Sequence, residues 1–213
     1  MSDGYTILSL DELETASHRG SSLIPLRHAL GFGAAGVNAW KAAAGEQLIP
    51  PHEEDSGSEE LYVVVRGRAE FAVGEEKADA PAGTLVFAPP EVFRTAVAEE
   101  DDTIVFVVGG WVGEAFKPGG WDSFALAKTF REAGRLDEAR TVMQQLVAQQ
   151  PDYWATSYNA GRFEALTGDS DAAFEHLRRA KELDIEGETA AYFREDGGLD
   201  PLRDDLRFQE LLA

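Results

Sequence analysis

The sequence contains no cysteine, and this absence excludes disulfides, thiolate metal sites and cysteine nucleophiles. It also lacks an apolar run long enough to cross a bilayer. The longest, "TIVFVVGGWVG", has the length of a strand and is interrupted by glycine. The opening "MSDGYTILSLDELETASHRG" has no basic start followed by an apolar stretch, which a secretory signal requires. We therefore expect a cytoplasmic protein that does not enter membranes.

Basic residues are also few, because 19 lysines and arginines stand against 39 aspartates and glutamates, a formal charge of −20. A field of this sign repels the phosphates of nucleic acids and anionic lipid surfaces, which argues against both as partners. The acidic excess is spread over both halves of the chain, as is typical of a soluble acidic surface.

Residues 37–108 have the texture of short strands rich in valine, phenylalanine, threonine and tyrosine. The predicted strands are "VNAWKAAA", "ELYVVVR", "AEFAV", "TLVFA", "VFRTAVA" and "TIVFVV". Turn-forming clusters, among them "AGEQLIPP" and "GEEKADAPAG", separate them. Short strands at this spacing, with no helical segment between them, predict an antiparallel barrel or sandwich. The first thirty residues predict an edge strand and a short helix, "SLDELETAS", with Ser9 and Glu12 as a capping box.

After a Gly/Pro-containing segment, alanine, leucine, glutamate and arginine dominate and the apolar period becomes helical. An internal repeat has an offset of 34 residues, "EAGRLDEA" and "LTGDSDAA". Its matched pairs are Gly134 with Gly168, Asp137 with Asp171, and Ala139 with Ala173. This period indicates a pair of helices in each repeat. The glycines are expected to take the left-handed conformation that ends the first helix of each pair.

The second repeat resembles the tetratricopeptide family, whose members are typically peptide-binding scaffolds. Tyr158, Asn159, Gly161 and Ala180 occupy the expected places. Two repeats are fewer than such an array usually needs to stand alone. We therefore expect this half to pack on the barrel, on a second copy of the chain, or on both. A structural or dimerising role is favoured over binding of a protein or peptide.

The first half resembles a cupin, a small antiparallel barrel that often carries a divalent metal on three histidines and one glutamate. The residues that match the first cupin motif are Gly45, His52, Glu54, Glu60 and Gly67. The resemblance implies a multidomain chain: an all-β cupin barrel, built as an antiparallel double-sheet jelly roll, followed by an all-α tetratricopeptide-like domain. We expect a cupin-like barrel with its N-terminal extension over 1–110, a linker over 111–121 and the helical domain over 122–213.

The residues that match the second cupin motif are Gly83, Pro89, Glu91, Arg94 and Ala98. Glutamate and arginine thus replace two of the family's histidines, at positions 54 and 94. Arginine stays protonated in proteins and offers no lone pair to a metal. If the barrel closes as in cupins, Glu54 and Arg94 approach each other across the lumen. Our hypothesis is that this ion pair has replaced two ligands and the metal, so that no cofactor is bound.

The alternative is that His52, Glu54 and Glu60 still hold a divalent metal, either Zn, Mn or Fe, with Arg94 turned aside. Tyr62 alternates with Glu60 and so belongs to the lumen side in either case. The neighbouring acidic residues are expected to face solvent or lie in the loop; they are Glu53, Asp55 and Glu59.

Three functions follow from these alternatives. The favoured one is a metal-free barrel that binds or senses a small molecule, such as a carboxylate or another small anion. Its expected ligand-binding residues are those of the lumen, His52, Glu54, Glu60, Tyr62 and Arg94, and a homodimer is expected. A second is a metal-dependent cupin enzyme, a dioxygenase, isomerase or lyase, acting on a small polar substrate. The third is a structural module that meets a protein or peptide through its helical repeats.

Overall fold

A computed structural model describes residues 5–54, 57–116, 120–185 and 187–212. The chain divides into two compact units, one covering residues 1–117 and the other residues 118–213. Asp55 and the centre of the predicted linker, residues 117–119, lie outside the described residues.

The first unit contains ten strands and one short helix within its described residues. The strands are β1 (Ala16–His18), β2 (Ser21–Ile24), β3 (Gly36–Ala42), β4 (Gln47–His52), β5 (Ser58–Arg66), β6 (Arg68–Val73), β7 (Glu76–Pro81), β8 (Leu85–Ala88), β9 (Arg94–Ala98) and β10 (Thr103–Trp111), and the helix is α1 (Leu26–Leu30). The helices of the second unit are α2 (Trp121–Glu132), α3 (Leu136–Gln149), α4 (Trp154–Thr167), α5 (Ser170–Leu183), α6 (Thr189–Glu195) and α7 (Leu206–Leu212), with a 3-10 helix at Gly197–Leu202.

The strands form two antiparallel sheets, as the strand texture of the sequence predicts. One sheet has six strands in the order β1-β2-β3-β10-β5-β8, and the other has four in the order β4-β9-β6-β7. Side chains of alternate residues fill the space between the sheets. Tyr62 of one sheet and Phe71 of the other, both buried, meet edge to face with ring centroids 5.7 Å apart. This contact packs the inner faces of the two sheets against each other.

Two strands were predicted as turns, and both lie at edges of the four-stranded sheet. Strand β4 contains Pro50 and Pro51, which are tolerated because an edge strand leaves one row of backbone groups unpaired. Its register against β9 shifts twice, so its periodicity is hidden in the sequence. Strand β7 is almost wholly exposed, and cross-strand ion pairs such as Lys77–Glu70, at 2.6 Å, replace the apolar pattern.

The predicted N-terminal helix is only a single 3-10 turn, Leu10–Glu12. The backbone carbonyl of Ser9 accepts a hydrogen bond from the Glu12 amide at 3.2 Å, and the predicted capping box does not form. Leu10 and Leu13 pack instead on an outer cluster of the six-stranded sheet. Packing therefore prevails over the weak helix preference of a short segment. The predicted edge strand of this region is present as β1.

The second unit consists of antiparallel helix pairs, in agreement with the internal repeat. Gly134 and Gly168 adopt φ angles of 77° and 87°, the left-handed conformation that we expected after α2 and α4. At Gly161, a side chain would come within 2.7 Å of Leu177, which explains why α4 and α5 pack closely at a glycine. No helix in the described part of the chain is both long and apolar enough to span a bilayer.

Candidate functional site

The residues predicted to line the lumen come from both sheets and meet at the mouth of the barrel. His52 ends β4 and Arg94 begins β9, and these two residues are paired in the strand register. Glu60 and Tyr62 lie two residues apart on β5, so they project to the same inner face. The two sheets thereby bring the side chains of His52 and Arg94 against the carboxylate of Glu60.

Glu60 is the centre of this cluster, because three side chains converge on one of its oxygens, Oε2. The Tyr62 hydroxyl donates to it at 2.5 Å, His52 Nε2 lies 3.3 Å away, and Arg94 Nε lies 3.5 Å away. Tyr62 thus lies beside Glu60 and contacts Phe71 of the other sheet.

Arg94 is wholly buried, at 0% exposure. Its Nη2 donates to the carbonyl of Pro89 at 2.9 Å. Its Nε and Nη1 have no hydrogen-bond partner among the described residues. Buried donors without an acceptor are costly, and a buried guanidinium is the most demanding case because it keeps its charge.

The carboxylate that the structure places beside Arg94 is Glu60, whereas the sequence predicted Glu54. Glu54 follows the end of β4, and its Oε1 lies 4.0 Å from His52 Nε2. Its backbone carbonyl accepts a hydrogen bond from the amide of Glu91 at 3.0 Å, which ties together the two loops at the mouth. The reason for the difference is position: Glu60 is fixed on the inner face of a central strand, while Glu54 lies in a loop at the rim with 31% of its side chain exposed.

The protonation of the cluster follows from these contacts. Burial alone would lower the pKa of His52, but the hydrogen bond to Glu60 and the contact with the Pro50 carbonyl outweigh it and raise that pKa. Burial alone would raise the pKa of Glu60, but hydrogen bonds from His52 and Tyr62 and the charge of Arg94 lower it. Both shifts favour a charged pair, imidazolium and carboxylate.

A divalent metal is the group that the resemblance to cupins implies, and the donor atoms match it in spacing. Ligand atoms of His52, Glu54 and Glu60 all lie within 4.8 Å of one another. His52 Nδ1 lies 2.7 Å from the Pro50 carbonyl, an arrangement that leaves Nε2 as the ligand atom of a neutral imidazole. The charge of Arg94, 3.5 Å from Glu60, opposes a cation at the same place. The spacing thus fits the ion, but the electrostatics do not.

Among the flanking acidic residues, Glu53 is exposed as expected, while Glu59 lies in β5 instead of a loop. Sequence reasoning missed Asn38, a residue of β3 that is only 8% exposed. Its register partner Val107 also pairs with Tyr62, so Asn38 faces the lumen. Residues two positions apart on a strand face the same side of the sheet. The position of Asn38 two residues before Trp40 on β3 was therefore the signal in the sequence.

We predict that Arg94→Met destabilises the barrel by about 3–5 kcal/mol, because it removes the buried cation beside the largely buried carboxylate of Glu60. Double-mutant cycles, with unfolding free energies measured in urea for the single and double variants, identify the carboxylate that pairs with Arg94. Coupling of Arg94→Met with Glu60→Gln should exceed coupling with Glu54→Gln. A larger coupling with Glu54→Gln would contradict this expectation and support the Glu54–Arg94 pair predicted from the sequence.

We predict that the stabilising effect of His52 depends on pH. Because its pKa is raised in the folded state, this contribution is fully present below 6.5, the ordinary value, and is lost as pH rises through the folded pKa. The loss of unfolding free energy in His52→Gln should therefore be larger at acidic than at alkaline pH. His176→Gln, in the second unit, is the control. An equal loss at both ends of the pH range would contradict the charged pair.

Comparisons with known proteins agree with this architecture. The family described as cupin domain matches residues 39–109, and the family described as tetratricopeptide repeat matches residues 124–188. No curated relative matches the chain in sequence.

Solved structures match the barrel half of the chain. KdgF from Halomonas sp. is 22% identical, with a TM-score of 0.42, and the match covers 49% of this chain and 93% of that protein. A predicted oxalate decarboxylase from Thermotoga maritima is 16% identical, with a TM-score of 0.43, covering 50% and 100%. A cupin protein from Bacteroides fragilis is 20% identical, with a TM-score of 0.42, covering 55% and 92%. The chain is a cupin-domain protein in which a tetratricopeptide-like helical region follows the barrel.

Proposed function

We propose that the barrel is a metal-free module that binds a small carboxylate or a similar small anion at its mouth. The observation that carries this proposal is Arg94, a wholly buried guanidinium with two donor atoms that lack a hydrogen-bond partner among the described residues. Arginine is the side chain best suited to planar, bidentate recognition of a carboxylate.

The charges of the cluster support an anionic ligand. Arg94 and a protonated His52 contribute two positive charges, and Glu60 contributes one negative charge. Glu54, beside His52 at the rim, supplies the second negative charge. We infer that Glu54 holds the place of a ligand carboxylate, and that it swings into water when the ligand binds.

The alternative is a metal-dependent enzyme, a dioxygenase, isomerase or lyase, and the spacing of His52, Glu54 and Glu60 favours it. These three residues would hold Zn, Mn or Fe, and a bound ion would supply Lewis-acid or redox chemistry. Arg94 would then orient an anionic substrate beside the ion.

One substitution separates the two proposals, because Glu54 competes with an anion but assists a metal. We predict that Glu54→Gln tightens binding of acetate about fivefold, a change expected when a partly exposed ion pair worth about 1 kcal/mol is removed. Zn²⁺ or Mn²⁺ affinity would fall in the same variant if the site were a metal centre. Calorimetric titration measures both, with Glu53→Gln as the charge-matched control. Weaker acetate binding together with weaker metal binding would favour the enzyme.

We also propose that the chain forms a homodimer through the outer face of the six-stranded sheet. Leu85 and Phe87 of β8, at the edge of that sheet, are 64% and 54% exposed, and Val65 of β5 is 44% exposed. An exposed apolar edge strand invites pairing with another chain. The helical region is a second candidate surface, for a partner protein, a peptide or a second copy, and its residue Ile185 is 94% exposed.

We predict that Phe87→Glu converts a dimer to a monomer in sedimentation experiments, because it places a charge in the apolar face. Ile185→Glu adds the same charge to the other unit and should leave the dimer intact. If only Ile185→Glu dissociates it, the helical region forms the interface. A parent protein that is already monomeric would refute the dimer.

A further inference from the structure

The hydroxyl of Tyr62 is the nearest of the three donors that converge on Glu60. It lies 2.5 Å from Oε2, whereas His52 Nε2 lies 3.3 Å and Arg94 Nε lies 3.5 Å from the same oxygen. A single carboxylate oxygen offers only about two lone-pair directions to donors. Three donors therefore compete for one acceptor atom, and the contacts show which of them is left without a hydrogen bond.

Arg94 is the donor that loses this competition. Its Nε lies close enough to Oε2 of Glu60 for an ion pair, but it has no hydrogen-bond partner among the described residues. Nη1 also lacks a partner in this part of the chain, while Nη2 donates to the carbonyl of Pro89 at 2.9 Å. The pair of Arg94 and Glu60 is thus attractive in charge but incomplete in hydrogen bonding, which is where the strength of such pairs lies.

The position of the Tyr62 hydroxyl is fixed by packing. Tyr62 is 1% exposed and belongs to β5, which pairs with β10 on one side and with β8 on the other. Its ring meets Phe71 of the other sheet edge to face, with centroids 5.7 Å apart. Because a tyrosine has few side-chain torsions, a ring held in this way keeps its hydroxyl at one place.

The hydroxyl also keeps its proton. Burial and the negative charge of Glu60 raise the pKa of Tyr62 far above its ordinary value. Burial alone would raise the pKa of Glu60, but the hydrogen bonds from His52 and Tyr62 lower it. At neutral pH, Tyr62 is therefore a neutral donor and Glu60 a charged acceptor, a combination that gives a strong hydrogen bond.

We propose that Tyr62 is a positioning residue that sets the affinity of the barrel for its anion. By holding Oε2 of Glu60, its hydroxyl keeps that carboxylate from completing a hydrogen-bonded ion pair with Arg94. The unused donors of Arg94 then stay available to a small anion such as acetate. This role rests on the proposed function, because it takes anion binding at Arg94 as given and identifies the residue that keeps Arg94 ready for it.

The variant Tyr62→Phe tests this role, since it removes the hydroxyl and keeps the ring that packs on Phe71. Without the hydroxyl, Glu60 should turn to Arg94 and compete with the ligand. We expect acetate to bind at least about fivefold more weakly, because a hydrogen bond to a charged group changes partner. Calorimetric titration of the parent and the variant with acetate measures the difference.

Tyr158→Phe in the helical unit is the matched control. Tyr158 also donates its hydroxyl to a carboxylate, that of Asp196, so the control loses a hydrogen bond of the same kind. It should lower the free energy of unfolding and leave acetate affinity unchanged.

A double variant shows whether Tyr62 acts through Glu60. Glu60→Gln removes the competing charge and should by itself tighten acetate binding. In the Glu60→Gln background, Tyr62→Phe should leave acetate affinity unchanged, because the carboxylate that the hydroxyl holds is gone. Should Tyr62→Phe fail to fold, Glu60→Gln alone tests the competition, and acetate binding that is unchanged or weaker in that variant contradicts it.

NMR of the arginine side chains gives a readout that needs no ligand. In Tyr62→Phe, the Hε resonance of Arg94 should move downfield and exchange more slowly with water, because Nε gains a hydrogen bond to Glu60. Arg94→Met, whose spectrum lacks this resonance, assigns it. A merely structural role of Tyr62 would lower the free energy of unfolding and leave the resonance in place.

Each outcome gives a decision. Acetate that binds Tyr62→Phe as tightly as the parent, or an unchanged Arg94 resonance, overturns the positioning role while the anion site stands. An equal loss of affinity in the Glu60→Gln background indicates that Tyr62 contacts the ligand directly, and this also overturns the role. Failure of acetate to bind the parent overturns the proposed function, and the Arg94 resonance then still decides whether Tyr62 holds Glu60 away from Arg94.

Discussion

The buried charge of Arg94 is the constraint on which the barrel mouth depends. A guanidinium at 0% exposure cannot release its proton, so the protein must supply a negative charge and acceptors around it. Glu60 and the Pro89 carbonyl meet part of this demand. The raised pKa of His52 and the lowered pKa of Glu60 are linked to this arrangement, because the carboxylate beside Arg94 is also the hydrogen-bond partner of His52.

The same constraint relates the two functional alternatives to each other. A cupin metal site and an anion site use the same strands, the same inner face and the same rim loop. What differs is the residue at position 94. A histidine at position 94 would offer a lone pair to a metal, whereas arginine offers none and places a positive charge beside Glu60. The spacing of the three donor atoms persists because β4 and β5 still position them.

Much of this organisation follows from the sequence, and the exceptions have physical reasons. The strands of the central sheet are readable because their alternation matches a buried face, and the left-handed glycines fix the helical repeats. The edge strands β4 and β7 are hidden because prolines and ion pairs occupy them in place of apolar residues. The short N-terminal helix fails because Leu10 and Leu13 gain more from packing on the sheet than from a helical turn.

The site residues follow from motif positions, but their pairing does not. From the motif positions we predicted Glu54 as the partner of Arg94, because both stand where the cupin family has histidine, whereas the structure places Glu60 beside Arg94. The choice between them depends on which carboxylate is held by a strand and which by a loop, and on the hydrogen bond from Tyr62 that fixes Glu60. The pairing of Gly36 with Gly109 is less accessible still to sequence reasoning. Gly36 and Gly109 lie 73 positions apart, and only the strand register shows that they adjoin Glu60. Glycine in a strand interior weakens the strand, but at these two positions it lets the Phe116 ring and the Glu60 side chain pack more closely on the backbone than a Cβ would permit.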